Sequence, residues 1–124
     1  VSVSFPLMKE RIARKLGVLA VGNSLSAEDG DLIGERCLSL QKQLEALEIV
    51  TLDFEAGIDE LYDDIISAMV AALLVDDFML EEPKRSTLAR EGILGLPAAS
   101  PAERQLRKVL APIRVSKPVR AEYF

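Results

Sequence analysis

The chain is 124 residues long, with 49% hydrophobic and 28% charged side chains and a formal net charge of −5. That length and balance describe one small domain with apolar material for a single core. Histidine and tryptophan are absent and cysteine occurs once, so a histidine base, a histidine-ligated metal, a zinc ribbon and a disulfide framework are excluded within it.

The charge is unevenly placed. Between Gln43 and Pro83 stand twelve acidic residues and no Lys or Arg, whereas Pro101 to Phe124 carries six basic residues against two acids. The last stretch is therefore +4 and residues 1–100 are −9. A solvated acidic face with a frayed tail is the plain account; docking of the tail on the acidic surface of another subunit or partner is the sharper one. The longest apolar run, Ile65 to Val75, has 11 residues, well short of the ~20 that span a bilayer. With Lys9, Glu10 and Arg11 early and no apolar leader segment, no secretory signal is expected, and the lone thiol suits a reducing cytosol.

Five helices are predicted, and no strand pattern of comparable length. The first covers 6–19, where Met8, Ile12, Leu16 and Leu19 form one stripe before Gly22 and Asn23 break it. The second opens at Ser26, an N-cap followed by Glu28 and Asp29 in the first turn. Its seam, Ile33, Cys37, Leu40, Leu44 and Leu47, suits shallow-angle packing on another helix, and Cys37 within it reads as a buried structural thiol. Residues 48–57 form a linker in which Val50, Leu52 and Phe54 alternate as in a brief extended stretch.

The third helix is predicted over 58–80. Its second half is apolar on every side, so it must lie at the bundle centre or at a subunit interface; Met69, Ala72 and Leu73 are the candidate interface residues. A weaker fourth helix spans 83–94, bracketed by Gly92 and Gly95. The fifth has a capping box, with Ser100 at N-cap, Pro101 at N1 and Glu103 at N3. Pro112 and Pro118 are expected to stop it, leaving residues 111–124 as an extended arm beside a bundle of residues 1–110. The candidate partner-binding residues of the arm are Ile113, Arg114, Val115, Lys117, Val119, Arg120, Tyr123 and Phe124. The expected fold is all-α: a small bundle of four to five helices with an extended C-terminal arm.

Little chemistry is offered. The pairs Asp63–Asp64, Asp76–Asp77 and Glu81–Glu82 lack the spacing of a calcium loop, and Gly92 and Gly95 are not followed by the Gly-Lys-Ser/Thr of a phosphate-binding loop. No catalytic residue, metal site or cofactor is expected. Lys9, Arg11, Arg14 and Lys15 form a small basic patch on the first helix.

The order of elements resembles the head-to-tail adaptor (head-completion, connector) proteins of tailed bacteriophages. The residues that carry the resemblance are Arg11-Ile-Ala-Arg-Lys-Leu-Gly17-Val-Leu, the capped start Leu25-Ser26-Ala-Glu-Asp29, the segment Phe54 to Gly57, and the helix from Ile58-Asp-Glu-Leu-Tyr62 to Val75. They cover about residues 1–80; the arm resembles the family in character, and residues 83–110 resemble nothing. The resemblance implies a non-enzymatic virion protein of the neck, made in the host cytoplasm. It would assemble as a homo-oligomeric ring, commonly of twelve copies, between the portal protein and a downstream tail component. DNA would pass through the channel during genome ejection without sequence-specific contact, and no membrane is involved. Two other functions remain open: a small DNA-binding or DNA-packaging helical protein using the basic first helix, and an enzyme subunit whose active site lies in a partner.

Overall fold

The computed structural model describes residues 2–20, 22–94 and 98–114, with side chains described as far as Leu110. Among them are five helices: α1 (Phe5–Leu16), α2 (Ala27–Ala46), α3 (Glu60–Leu74), α4 (Lys84–Gly92) and α5 (Pro101–Arg114). Two short strands, β1 (Ser2–Val3) and β2 (Ile58–Asp59), complete the set. The fold is all-α apart from this one ribbon.

The stripe predicted for α1 is the stripe that is buried: Met8, Ile12, Leu16 and Leu19 all lie in the core. The helix itself stops three residues earlier than its periodicity suggests. Gly17 adopts φ 83° and the Val18 N–H donates back to the Ala13 carbonyl at 3.1 Å, a left-handed closure that glycine accepts without strain. Leu19 is buried from the loop. In α2 the Ser26 hydroxyl accepts from the Asp29 N–H at 3.2 Å, as an N-cap should. Ile33, Cys37, Leu40 and Leu44 are buried, while Leu47, expected in the same seam, is the C-cap residue and is 54% exposed.

The linker forms no strand at Val50, Leu52 and Phe54, and Phe54 lies in a turn. The Asp53 carboxylate accepts from the Glu55 and Ala56 N–H groups, which folds the chain into a turn. The Gln41 side chain accepts from the Phe54 N–H at 3.0 Å, and the Phe54 ring is fully buried 5.7 Å from the ring of Phe5. The extended pairing falls later, where the third helix was expected to begin. There Val3 faces Ile58 and Ser2 faces Asp59 in antiparallel register, and Asp59 then caps α3 by accepting from the Leu61 N–H at 3.0 Å.

α3 is the centre of the bundle and contacts each of the other four helices. Its run from Ile65 to Ala71 is buried on every side, which answers the excess of apolar residues within one chain. It ends at Leu74, short of the expected 80: Leu80 N–H closes back on the Val75 carbonyl and Met79 takes a positive φ of 50°. Gly92, at the end of α4, rests on α3 so closely that a Cβ there would overlap the Ala68 backbone and stand 3.0 Å from the Met69 Cα. Its role is this close approach rather than helix termination alone.

At the start of α5 the Ser100 hydroxyl accepts from the Glu103 N–H at 3.3 Å. The reciprocal half of the capping box is replaced, because Glu103 Oε2 accepts instead from Arg107 Nε at 3.2 Å. α5 also continues to Arg114, through Pro112, which corrects the expected boundary at residue 110. A proline here removes one backbone bond close to the helix end, while Ala102, Leu106 and Leu110 bury a continuous stripe that holds the preceding turns in place. Ile113 and Arg114 therefore belong to α5, and the expected arm residues Val115, Lys117, Val119, Arg120, Tyr123 and Phe124 lie outside the described residues. No helix among the described residues is long and apolar enough to cross a membrane.

Candidate functional site

The basic residues of α1 divide between two faces. Lys9 turns away from the others and places its ammonium 4.4 Å from the centre of the Phe5 ring. Arg11 pairs with Asp63 of α3, Arg14 with Glu10 at 3.5 Å, and Lys15 with Glu91 of α4 at 3.9 Å. The patch that would serve a nucleic acid is thus matched by carboxylates of the chain itself.

Arg11, Arg14 and Lys15 line a cleft of about 380 Å³ with Asp63, Asp64 and Ser67 of α3. The floor of this cleft is polar and incompletely satisfied. Asp63 and Ser67 are only 8% and 5% exposed, one helical turn apart, and among the described residues Asp63 Oδ1 and Ser67 Oγ have no hydrogen-bond partner. A buried polar atom without a partner costs free energy that a bound donor or acceptor can recover. Asp64, at the rim, is exposed and makes no ion pair among the described residues.

The cleft continues along the bundle. A second cavity of about 370 Å³ shares Lys15 and Asp64 and is extended by Ala68, Glu91, Pro101 and Gln105. A third, of about 360 Å³, shares Glu91 and Pro101 and adds Thr87 and Arg90. The first two form a groove beside α3, with α1 on one side and α4 and α5 on the other, and the third lies between α4 and α5.

The paired acids act as ties. Asp77 accepts two hydrogen bonds from Arg36, at 2.8 and 3.2 Å, and these hold the guanidinium pKa above its ordinary value. Asp76 pairs with Arg85. Glu82 caps the start of α4, accepting from the Ser86 hydroxyl and, at 2.8 Å, from its N–H, which together hold the carboxyl below the usual range. Among the described residues no three or more Asp, Glu, His or Cys gather in a form that could hold a metal ion. Cys37 is fully buried, and burial pushes its thiol up to about 12, far from a reactive thiolate at neutral pH.

Of the candidate interface residues, Met69 is 1% exposed inside a single chain and belongs to its core, whereas Ala72 and Leu73 are half-buried. The groove residues Asp63, Asp64, Ser67 and Glu91 escaped sequence reasoning as a site. The only signal was the helical spacing of 63 and 67 beside the basic residues 11, 14 and 15, and nothing in one sequence says that α1 lies against α3. Neither a family model, nor a curated protein, nor a solved structure matches the chain.

Proposed function

We propose that the chain is a structural adaptor that assembles as a ring between the portal and the tail of a phage-like particle and extends the DNA channel. The observation that carries this reading is the succession of elements. A short helix closes at Leu16-Gly17, a helix capped by Ser26 follows, then an aromatic turn at Phe54, then the central helix from Glu60. These are the residues on which the resemblance rests.

Two physical features support it. The apolar centre of α3 is covered by the chain's own helices, so a copy is a finished building block whose contacts with its neighbours fall on its surface. Glu45, Glu55, Glu60, Asp64 and Glu81 are all exposed, and a surface rich in carboxylates repels phosphates and lets a duplex slide. The role is mechanical, with neither catalysis nor a cofactor.

Electron microscopy of the purified protein, alone and mixed with a portal ring, tests this. Rings that cap the portal end are the expected result. Protein that neither forms rings nor attaches to portals, and instead binds duplex DNA in a salt-sensitive way, would replace this function with DNA binding.

A further inference from the structure

We infer that the cleft between α1 and α3 binds a phosphorylated sugar or polyol as an intact small ligand. The inference does not depend on ring assembly and gives the chain a ligand site of its own.

The side chains that line this cleft of about 380 Å³ sort into donors and acceptors. Arg11 and Asp63 engage each other, which leaves Arg14 and Lys15 as the available cations and Asp64 as the open carboxylate. Glu10 holds Arg14 only in an exposed pair at 3.5 Å, and Glu91 of α4 stands 3.9 Å from Lys15. Exposed pairs of this kind are weak, so both cations can turn to an incoming anion at little cost. They are neighbours on α1, one helical turn beyond Arg11, or about 5 Å along the axis. A phosphate monoester has three terminal oxygens to divide between a guanidinium and an ammonium.

The acceptors select the rest of the ligand. Asp64 is exposed and has no ion pair among the described residues. Asp63 Oδ1 and Ser67 Oγ, on residues only 8% and 5% exposed, have no hydrogen-bond partner among them. A bare anion would face Asp64 with nothing to offer it and would be repelled. A hydroxyl both donates and accepts. At the rim it donates to Asp64; where the 42% exposed Arg11 side chain shifts outward, a second reaches Asp63 Oδ1 and Ser67 Oγ. Giving a donor to a buried oxygen that lacks one recovers its desolvation cost and so adds to affinity. A cationic ligand would meet Arg14 and Lys15, and an uncharged sugar would leave both unused. A phosphate at one end and hydroxyls at the other use both sets. Such a ligand joins α1 to α3 and stabilises the fold by mass action.

Calorimetric titration of the full chain with glucose 6-phosphate, glucose and inorganic phosphate tests this, with thermal unfolding as a second readout. Glucose 6-phosphate should bind saturably, raise the melting temperature, and bind at least about tenfold more tightly than glucose or inorganic phosphate. Arg14→Gln and Lys15→Gln should each weaken it by about tenfold, and Asp64→Asn and Ser67→Ala by severalfold. Both cations are half-exposed, so their variants should keep the natural circular dichroism spectrum, and each serves as a check on the other. Lys42→Gln, at an exposed lysine of α2 outside the cleft, should leave binding unchanged. Inorganic phosphate binding as tightly as glucose 6-phosphate would overturn the ligand class. Full affinity in both Arg14→Gln and Lys15→Gln would overturn the site. Tighter binding of an oligonucleotide with a terminal phosphate would replace the small ligand with a nucleic-acid end. No saturable binding of glucose 6-phosphate or glycerol phosphate up to about 10 mM would overturn the inference as a whole.

Discussion

Gly92 of α4 lies directly on the backbone of Ala68 in α3, with no room for a Cβ between the two helices. The neighbour is main chain at the middle of the central helix, so it cannot step aside as a flexible side chain would. Gly92→Val should therefore destabilise the fold by about 1–3 kcal/mol through overpacking, read as a lower urea midpoint. Gly30, where a Cβ would stand at an ordinary 3.6 Å from the Leu25 side chain, provides the helical control for steric crowding. An unchanged midpoint for Gly92→Val would mean that α4 does not cross α3 at this point.

The Arg11–Asp63 pair joins α1 to α3, with the carboxylate 11% exposed and the guanidinium 42% exposed. Arg11→Ala leaves Asp63 with neither oxygen satisfied and should cost about 1–3 kcal/mol. Replacing both partners by leucine should recover most of that loss, because no buried charge is then left alone. Chemical denaturation of the three variants measures this asymmetry; equal losses for single and double changes would refute it.

Cys37 supplies a pH prediction. Burial raises its thiol from an ordinary value of 9.0 to about 12. Above about pH 9 the unfolded chain releases this proton while the folded chain retains it. Stability contributed by the protonated thiol is therefore complete below pH 9 and is lost as pH rises towards 12, at about 1.4 kcal/mol per pH unit. Cys37→Ala should flatten this alkaline slope despite lowering stability at neutral pH. In the folded protein at pH 8 the thiol should resist iodoacetamide and react only after denaturant is added.

Glu82 titrates in the opposite sense. Its carboxyl is held below the ordinary range by the Ser86 hydroxyl and N–H. The cap on α4 is thus present above the unfolded carboxyl pKa and lost as pH falls through the lower folded value. Amide exchange in α4 should accelerate in acid before exchange in α3 does, and Glu82→Gln should remove this acid dependence.

Pro112 within α5 leads to a further expectation. It removes a backbone donor near the helix end, so Pro112→Ala should lengthen the persistence of the last turn and increase helical ellipticity. A loss of ellipticity would show that Pro112 is required by the conformation that follows.

Much of the fold was legible because it rests on local rules. The stripe of Met8, Ile12 and Leu16, the Ser26 and Ser100 caps, and the all-round burial around Ala68 to Ala71 follow from periodicity and hydrogen-bonding chemistry within a few residues. The elements that escaped depend on partners distant in sequence. Ile58–Asp59 is a strand only because Ser2–Val3 lies beside it, and Gly92 is a contact glycine only because Ala68 passes beneath. Pro112 does not stop α5, because one lost bond near an end does not outweigh an anchored stripe. The groove was illegible for the same reason as the ribbon: Arg11 and Asp63 are 52 residues apart in sequence.

The position of α3, in contact with all four other helices, also bears on how the protein can be taken apart. A bundle of paired helices can be cut between pairs to give two halves that each retain a hydrophobic contact. Here every cut separates some helix from the same hub, so no fragment keeps a closed core. Limited proteolysis should pass from intact chain to small peptides without a long-lived intermediate, and expression of either half alone should yield insoluble or unfolded material. Engineering that adds function to this scaffold is best confined to its loops, such as 48–57 or 75–83, where an insertion leaves the hub's four contacts in place.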